Sequence, residues 1–160
     1  MSRWIRQDAS EPLDFEEACV RLAVAQSRQA SPIVLWGEGA QDYRFALIAP
    51  LRLAPGKRLR WLSWGLAPAA AAYRQFGVPA YVGEGGLWLH GRRIAECVVE
   101  QIGECLMVAS SLLAQFPANC VATPAAAFEQ ALRLRIEAQH GWQFEHSWPS
   151  EREMLSYAAA

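Results

Sequence analysis

Several places in the sequence carry residues whose types and spacing could do chemistry. Cys120, in Phe116-Pro117-Ala118-Asn119-Cys120, lies in a loop just ahead of an expected helix. A thiol near a helix N-terminus can have a lowered pKa and act as a nucleophile. It would need a base, and His90, His140 and His146 are the imidazoles of the chain. No local signature ties any of them to Cys120, so an inert loop cysteine is the simpler reading. His90, Arg92 and Arg93 crowd one turn. Two guanidinium forks beside an imidazole could bind a carboxylate or a phosphate, and a solvated, charged turn explains the same residues. Gly83-Glu84-Gly85-Gly86 would cradle a phosphate only with a strand before it and a helix N-terminus after it. A strand follows instead, so a hairpin turn is expected. Glu96 and Glu100 share a strand face, with Glu104 in the next turn. Paired carboxylates can divide acid and base roles, but a solvated strand face accounts for them more simply.

The chain that must position these groups has 160 residues, room for one domain over 1–160. Its hydrophobic fraction of 52% and seven Trp can fill a core, which argues against disorder. The net charge of -1 offers no electrostatic footprint for nucleic acid or for an anionic membrane. No apolar run reaches the roughly 18 residues of a membrane span, and the charged start is unlike a signal peptide, so a cytoplasmic protein is expected. The 15 basic residues are 14 Arg and one Lys, Lys57, so any mechanism that needs a lysine has one candidate. An Arg- and Ala-rich coding bias gives the same count. Cys19, Cys97, Cys105 and Cys120 are scattered without a C-x-x-C pair, so neither a metal site nor a disulfide framework is signalled, and buried thiols are expected for at least three. No cofactor is expected.

Start and stop signals divide the chain into elements. Arg3–Arg6 reads as a strand. Asp14 and Glu17 form a capping box for a helix with the stripe Phe15, Ala18, Cys19, Leu22, Ala25 and Gln26, ending near Ala30 before Pro32. Strands follow at Ile33–Trp36 and Tyr43–Ala49. A third is expected at Arg58–Trp64, where Leu59, Trp61 and Ser63 alternate with Arg58, Arg60 and Leu62. A short helix Ala69–Phe76 comes next, with Pro68 in its first turn and Gly77 at its stop. Val78–Val82, Leu87–His90, Arg93–Gln101 and Cys105–Leu113 read as an antiparallel meander with tight turns. In the long strand Ala95, Cys97 and Val99 face the core, and Ile94, Glu96, Val98 and Glu100 face away. A last long helix follows Thr123-Pro124, with Ala127, Phe128, Ala131, Leu132, Leu134 and Ile136 as its stripe and Gly141 as its stop. Trp142–Glu145 reads as a strand, and Ser150 with Glu153 caps a terminal helix. The expected fold class is α+β, a mixed and mainly antiparallel sheet with helices packed largely on one face.

One stretch carries more. Phe76-Gly77-Val78-Pro79-Ala80, then Gly86-Leu87-Trp88-Leu89-His90-Gly91-Arg92-Arg93-Ile94-Ala95, resembles the biotin and lipoate protein ligases and octanoyltransferases. In that family a segment of the form "lGvpa…nDlwv-x-G-x-K-I-A-G" runs strand, tight turn, strand, and its lysine contacts the acyl carbonyl or acyl-adenylate. Asp14-Phe15-Glu16-Glu17-Ala18 with Ser31-Pro32-Ile33-Val34-Leu35-Trp36 is similar to the family's first helix and next strand. Thr123 to Phe144 is similar to its terminal helix and last strand. The resemblance thus spans most of the chain and implies a shortened ligase catalytic fold.

The departures bear on function. The family's lysine falls on Arg93, and its Asn-Asp pair falls on Gly85-Gly86. The Gly-rich ligand loop, of the form R-R-x-x-G-G-G followed by a histidine, should lie between Pro50 and Pro68, and Leu51 to Ala67 holds no such motif. The octanoyltransferase cysteine sits in a "P-C-G" loop; Cys120 has a comparable place but is flanked by Asn119 and Val121. The resemblance therefore implies a degenerate, non-catalytic domain that binds an acyl-type ligand, a lipoyl or biotinyl carrier domain, or a paralogous ligase, through Gly85, Gly86, His90, Arg92 and Arg93. An alternative is an acyltransferase with Cys120 as nucleophile and Arg93 placing the substrate carbonyl. A third reading is a structural domain that forms a homodimer through exposed Trp61, Trp64 or Trp148.

Overall fold

The structure, a computed structural model, describes residues 2–7, 15–26, 31–38, 42–113 and 125–147. In chain order the strands are β1 (Ser2–Gln7), β2 (Ile33–Glu38), β3 (Asp42–Pro50), β4 (Tyr81–Gly83), β5 (Gly86–Leu89), β6 (Arg92–Ile102), β7 (Cys105–Leu113) and β8 (Phe144–Ser147). The helices are α1 (Phe15–Gln26), α2 (Trp61–Gln75) and α3 (Ala125–His140). The strands form one sheet in the order β4-β5-β6-β7-β3-β2-β1-β8. β1 runs parallel to β2 and β8, and the remaining pairs are antiparallel.

Alternation along the central strands sorts their side chains between two helical layers. Trp4, Val34, Trp36, Phe45 and Leu47 pack with α2 and α3, against Leu66, Tyr73, Phe128, Leu132 and Ile136. Ile5, Ile33, Leu35, Ala46, Ile48 and Met107 point the other way, onto Phe15, Ala18, Cys19, Leu22 and Ala23 of α1. A strand buried on both faces reads as a continuous apolar run, which is why β2 and β3 lack a polar alternation. Two helices thus cover one face, and α1 covers part of the other.

The third expected strand is a correction. Arg58–Arg60 is a 3-10 turn that leads directly into α2 at Trp61, eight residues before the expected helix start. Across seven residues the apolar pattern fits a period of two; the full run Trp61, Gly65, Leu66, Ala69, Ala72 and Tyr73 is helical and buried. Pro68 therefore sits inside the helix rather than in its first turn. It lacks the N–H that would bond the carbonyl four residues back, that of Trp64. Gln139 of α3 donates its side-chain amide to that carbonyl at 2.9 Å. Gly65 permits α2 to lie close on the sheet, since a Cβ there would meet Val108 Cγ1 at 2.6 Å.

Three further expectations are corrected. Trp61 is buried and Trp64 half-buried, so neither is an exposed patch for dimerisation; Trp148 lies outside the described residues. Ala127 and Leu134 of α3 are exposed, and Glu129 is buried instead. The strand expected at Trp142–Glu145 begins at Phe144. The cap residues Asp14, Thr123, Pro124, Ser150 and Glu153 lie outside the described residues.

Candidate functional site

The hairpin that carries Arg93 is built by glycines and one bulge. β4 and β5 pair through Gly83 and Gly86, with Glu84 and Gly85 between them, so this segment is the expected hairpin turn. Gly85 has φ 74°, and Trp88 Nε1 donates to the Glu84 carbonyl at 2.9 Å. A Cβ on Gly86 would stand 1.9 Å from the Ala95 carbonyl oxygen, so this close backbone approach itself requires glycine. At the other end of β5, His90 (φ 49°) and Gly91 (φ 76°) both take the left-handed conformation, the two central positions of a type I′ turn. His90 is the one non-glycine with positive φ among the described residues, and its side chain and that of Arg92 are exposed.

Between β5 and β6 the pairing passes from Leu87–Ala95 to Trp88–Arg93, which leaves Ile94 as the extra residue of a bulge. Simple alternation places Arg93 on the core side with Ala95 and Cys97, and Ile94 outside. The bulge turns both over: Ile94 packs with Ala95 toward the α2 and α3 core. Arg93 comes out on the side of Glu96, to which its Nη2 donates at 2.9 Å. The expected outward position of Ile94 is thereby corrected. In an unbroken strand, residues three apart face opposite ways, so this ion pair is a product of the bulge. Arg93 also lies across Gly85, where a Cβ would meet its Nη1 at 2.8 Å.

Arg93 and Glu96 border a polar row on the α1 side of the sheet. Parity places Gly37 of β2, Arg44 of β3 and Ser111 of β7 on that face, with the registers Gly37–Arg44 and Arg44–Ser111. Glu96 lies one residue beyond the Cys97–Ser110 pair. Adjacent strands are about 4.8 Å apart, so the row presents guanidinium, hydroxyl and carboxylate groups side by side. Arg44 Nε is 3.5 Å from Asp42 Oδ2; Arg44, Ser111 and Glu96 are exposed, while Gly37 at the far end is buried beside Phe15. Two residues further along the strands, the paired Val98, half-exposed, and Ala109, half-buried, form an apolar floor beside the row. The site thus offers a polar rim beside an apolar floor, open to solvent.

Of the residues singled out in the sequence, Arg93, Gly85 and Gly86 come together here. Gly85 and Gly86 have backbone reasons to be glycine. His90 and Arg92 occupy the opposite end of β5. Cys120 lies outside the described residues; the chain leaves β7 at Leu113, two residues past Ser111. The other thiols are poor nucleophiles. Burial pushes Cys97 up to about 12, and Cys105 is raised by burial and by the Glu104 charge, while Cys19 is buried. Lys57 cannot stand in for Arg93. It is exposed in the segment after β3, whose Leu51 and Ala54 pack on the α2 side of the sheet with Trp61, Leu106 and Val108. Among the described residues no group of three or more His, Cys, Asp or Glu could hold a metal ion.

Two clusters escaped the sequence reading. Glu129 of α3, 3% exposed, accepts from Trp4 Nε1 at 2.7 Å and from Arg6 Nε at 2.8 Å, and its Oε1 lies 2.8 Å from Arg6 Nη2. This pair ties α3 to β1, and the Glu129 contact raises the pKa of Arg6. The signal was a carboxylate three residues from Leu132 on the helix stripe. The second cluster is His140, whose ring lies 4.6 Å from Trp64 and 4.5 Å from Trp142. Burial lowers its pKa to about 4, and its Nε2 is buried without a hydrogen-bond partner among the described residues.

No sequence-family model matches the chain, and no curated protein matches it. Solved structures do. A lipoate protein ligase of Thermoplasma acidophilum with bound lipoic acid superposes with a TM-score of 0.78 at 9% identity, over 99% of this chain and 93% of that one. The fold is that of the lipoate and biotin protein ligases. A bipartite lipoate protein ligase from the same organism, studied with its E2 lipoyl domain, gives 0.77 at 10% identity over 99% and 91%. The biotin protein ligase of Leishmania major in complex with biotinyl-5-AMP gives 0.57 at 10% identity over 99% and 80%. Within this ligase fold, the interval from Pro50 to α2 contains two 3-10 turns, Leu51–Leu53 and Arg58–Arg60, and one glycine, Gly56.

Proposed function

We propose that this chain is a single, non-catalytic domain of the ligase fold, residues 1–160, that binds an acyl-type ligand, a lipoyl or biotinyl carrier domain, or a paralogous ligase. The observation that carries the reading is the segment from Leu51 to Arg60. Two short turns stand where the resemblance calls for a Gly-rich loop that wraps an acyl-adenylate. Without such a cradle of backbone N–H groups, charge that develops on an adenylate has no prepared partner. Arg93 in place of the lysine keeps a cation, but as a planar fork held by Glu96. What remains is recognition: a guanidinium near an open apolar floor suits a carboxylate or carbonyl with an aliphatic chain. A cytoplasmic location and a fold without a cofactor belong to this reading; no helix among the described residues is long and apolar enough to cross a membrane. Titration with octanoate and lipoate tests it, with Arg93→Ala expected to weaken binding and no saturable binding of ligand, carrier domain or paralogue counting against it.

A second reading has one observation in its favour. Burial disfavours the thiolate of Cys97 and Cys105 and encloses Cys19, so thiol chemistry on this chain falls to Cys120. In that case the octanoyl group passes from the carrier protein's thioester to the Cys120 sulfur, the carrier leaves as its free thiol with the proton that Cys120 gave up, and Cys120→Ser abolishes the intact-mass shift. An adduct that survives the substitution, or no adduct, removes this reading.

A further inference from the structure

The segment that replaces the ligand loop has a surface of its own. Between Asp42 and Glu84 the sequence has no acidic residue, while Arg44, Arg52, Lys57, Arg58, Arg60 and Arg74 are basic. Four of these six cluster in Leu51–Arg60, and the chain as a whole carries a net charge of -1. Leu59, between Arg58 and Arg60, is 96% exposed, and Leu53, beside Arg52, is 38% exposed. A leucine that touches almost nothing contributes nothing to the fold, and here it stands in the chain between two arginines.

The segment is also held in shape. Ala54 N–H bonds the Leu51 carbonyl at 3.1 Å, and Arg60 N–H bonds that of Lys57 at 3.0 Å. Trp61 Nε1 donates to the Pro55 carbonyl at 2.7 Å. The Arg58 guanidinium stands 5.3 Å from the Trp61 ring centroid and donates to Gln101 Oε1 at 3.1 Å. Such pre-ordering lowers the entropy cost of fitting a shaped surface, whereas a fluid bilayer asks for no fixed shape. Guanidinium forks match carboxylates in two-point geometry.

We propose that Leu51–Arg60 is a docking surface for a protein whose facing surface is acidic around an apolar recess, with Leu59 entering the recess. The surface lies on the α2 side of the sheet, away from the polar row, so it stands independently of the ligand reading. The test uses three probes on the full chain: a blocked peptide of alternating Glu and Leu, poly-L-glutamate, and phosphatidylglycerol vesicles. The peptide is expected to bind, more weakly as salt rises. Leu59→Ser weakens peptide binding about tenfold and leaves poly-L-glutamate unchanged. Lys57→Glu with Arg60→Glu, both exposed positions, removes binding of both, with circular dichroism confirming the fold. Peptide binding that ignores these substitutions, or no peptide binding, overturns the proposal. Leu59-dependent binding to vesicles alone assigns the surface to lipid and overturns it equally.

Discussion

Pro68 and Gln139 make a prediction that can be worked from the structure. Pro68 leaves the Trp64 carbonyl without its helical donor, and Gln139 supplies one at 2.9 Å. Gln139→Ala removes a hydrogen bond of about 1 kcal/mol net and leaves that carbonyl to water, because the position is at the surface. In the Pro68→Ala background, the new N–H at position 68 can bond Trp64 itself. Gln139→Ala then costs only a few tenths of a kcal/mol. The double-mutant cycle therefore gives a coupling of about 0.7 kcal/mol between residues on two helices. Pro68→Ala alone gains helix propensity, worth up to about 3 kcal/mol in an exposed helix, but loses the packing of a buried ring. The coupling, unlike the single substitutions, is independent of that balance. Urea unfolding of the four proteins measures it. Equal costs of Gln139→Ala in both backgrounds would refute the argument that Gln139 replaces the missing backbone donor.

Three further outcomes are expected. His140 has a folded pKa near 4 against an ordinary 6.5, so the unfolded chain takes up its proton first as pH falls. Its contribution is complete above about pH 6.5, declines through the interval, and is lost below about pH 4; with partial solvent screening, about 1 kcal/mol is expected. The difference in melting profile between wild type and His140→Phe should show that slope, and parallel profiles would contradict it. Gly86→Ala forces a Cβ against the Ala95 carbonyl oxygen, 1.9 Å away, and should cost about 3 kcal/mol in chemical unfolding; a neutral substitution would contradict the close approach. Arg93→Lys restores the residue type that the resemblance calls for, yet should leave the chain without ligase activity, because the loop between β3 and α2 is unchanged. Lipoylated carrier domain in that assay would show that the lysine alone was missing.

Much of this was legible from the residues. Gly77, Gly85, Gly91, Gly103 and Gly141 marked turns or helix stops, and each has positive φ. The strands β2, β3 and β7 followed from runs of apolar residues between breakers. The Arg58–Trp64 region failed because seven residues cannot separate a period of two from one of 3.6, and Pro68 looked like a helix start. The site was legible in part. Arg93 was singled out, but its direction was not, because a bulge is a property of two strands in register and leaves no mark on one. Glu129 meets Trp4 and Arg6, and His140 meets Trp64 as well as its near neighbour Trp142, so each depends on a partner distant in sequence that composition could not reveal.

We propose that the ligase fold is kept here without the ability to activate an acyl group. The direct measurement is incubation of the purified chain with ATP, lipoate or biotin, and an apo carrier domain, followed by intact-mass analysis of the carrier. An unmodified carrier, together with saturable binding of octanoate or lipoate, is the predicted result. An ATP-dependent lipoyl or biotinyl mass shift on the carrier would contradict the account.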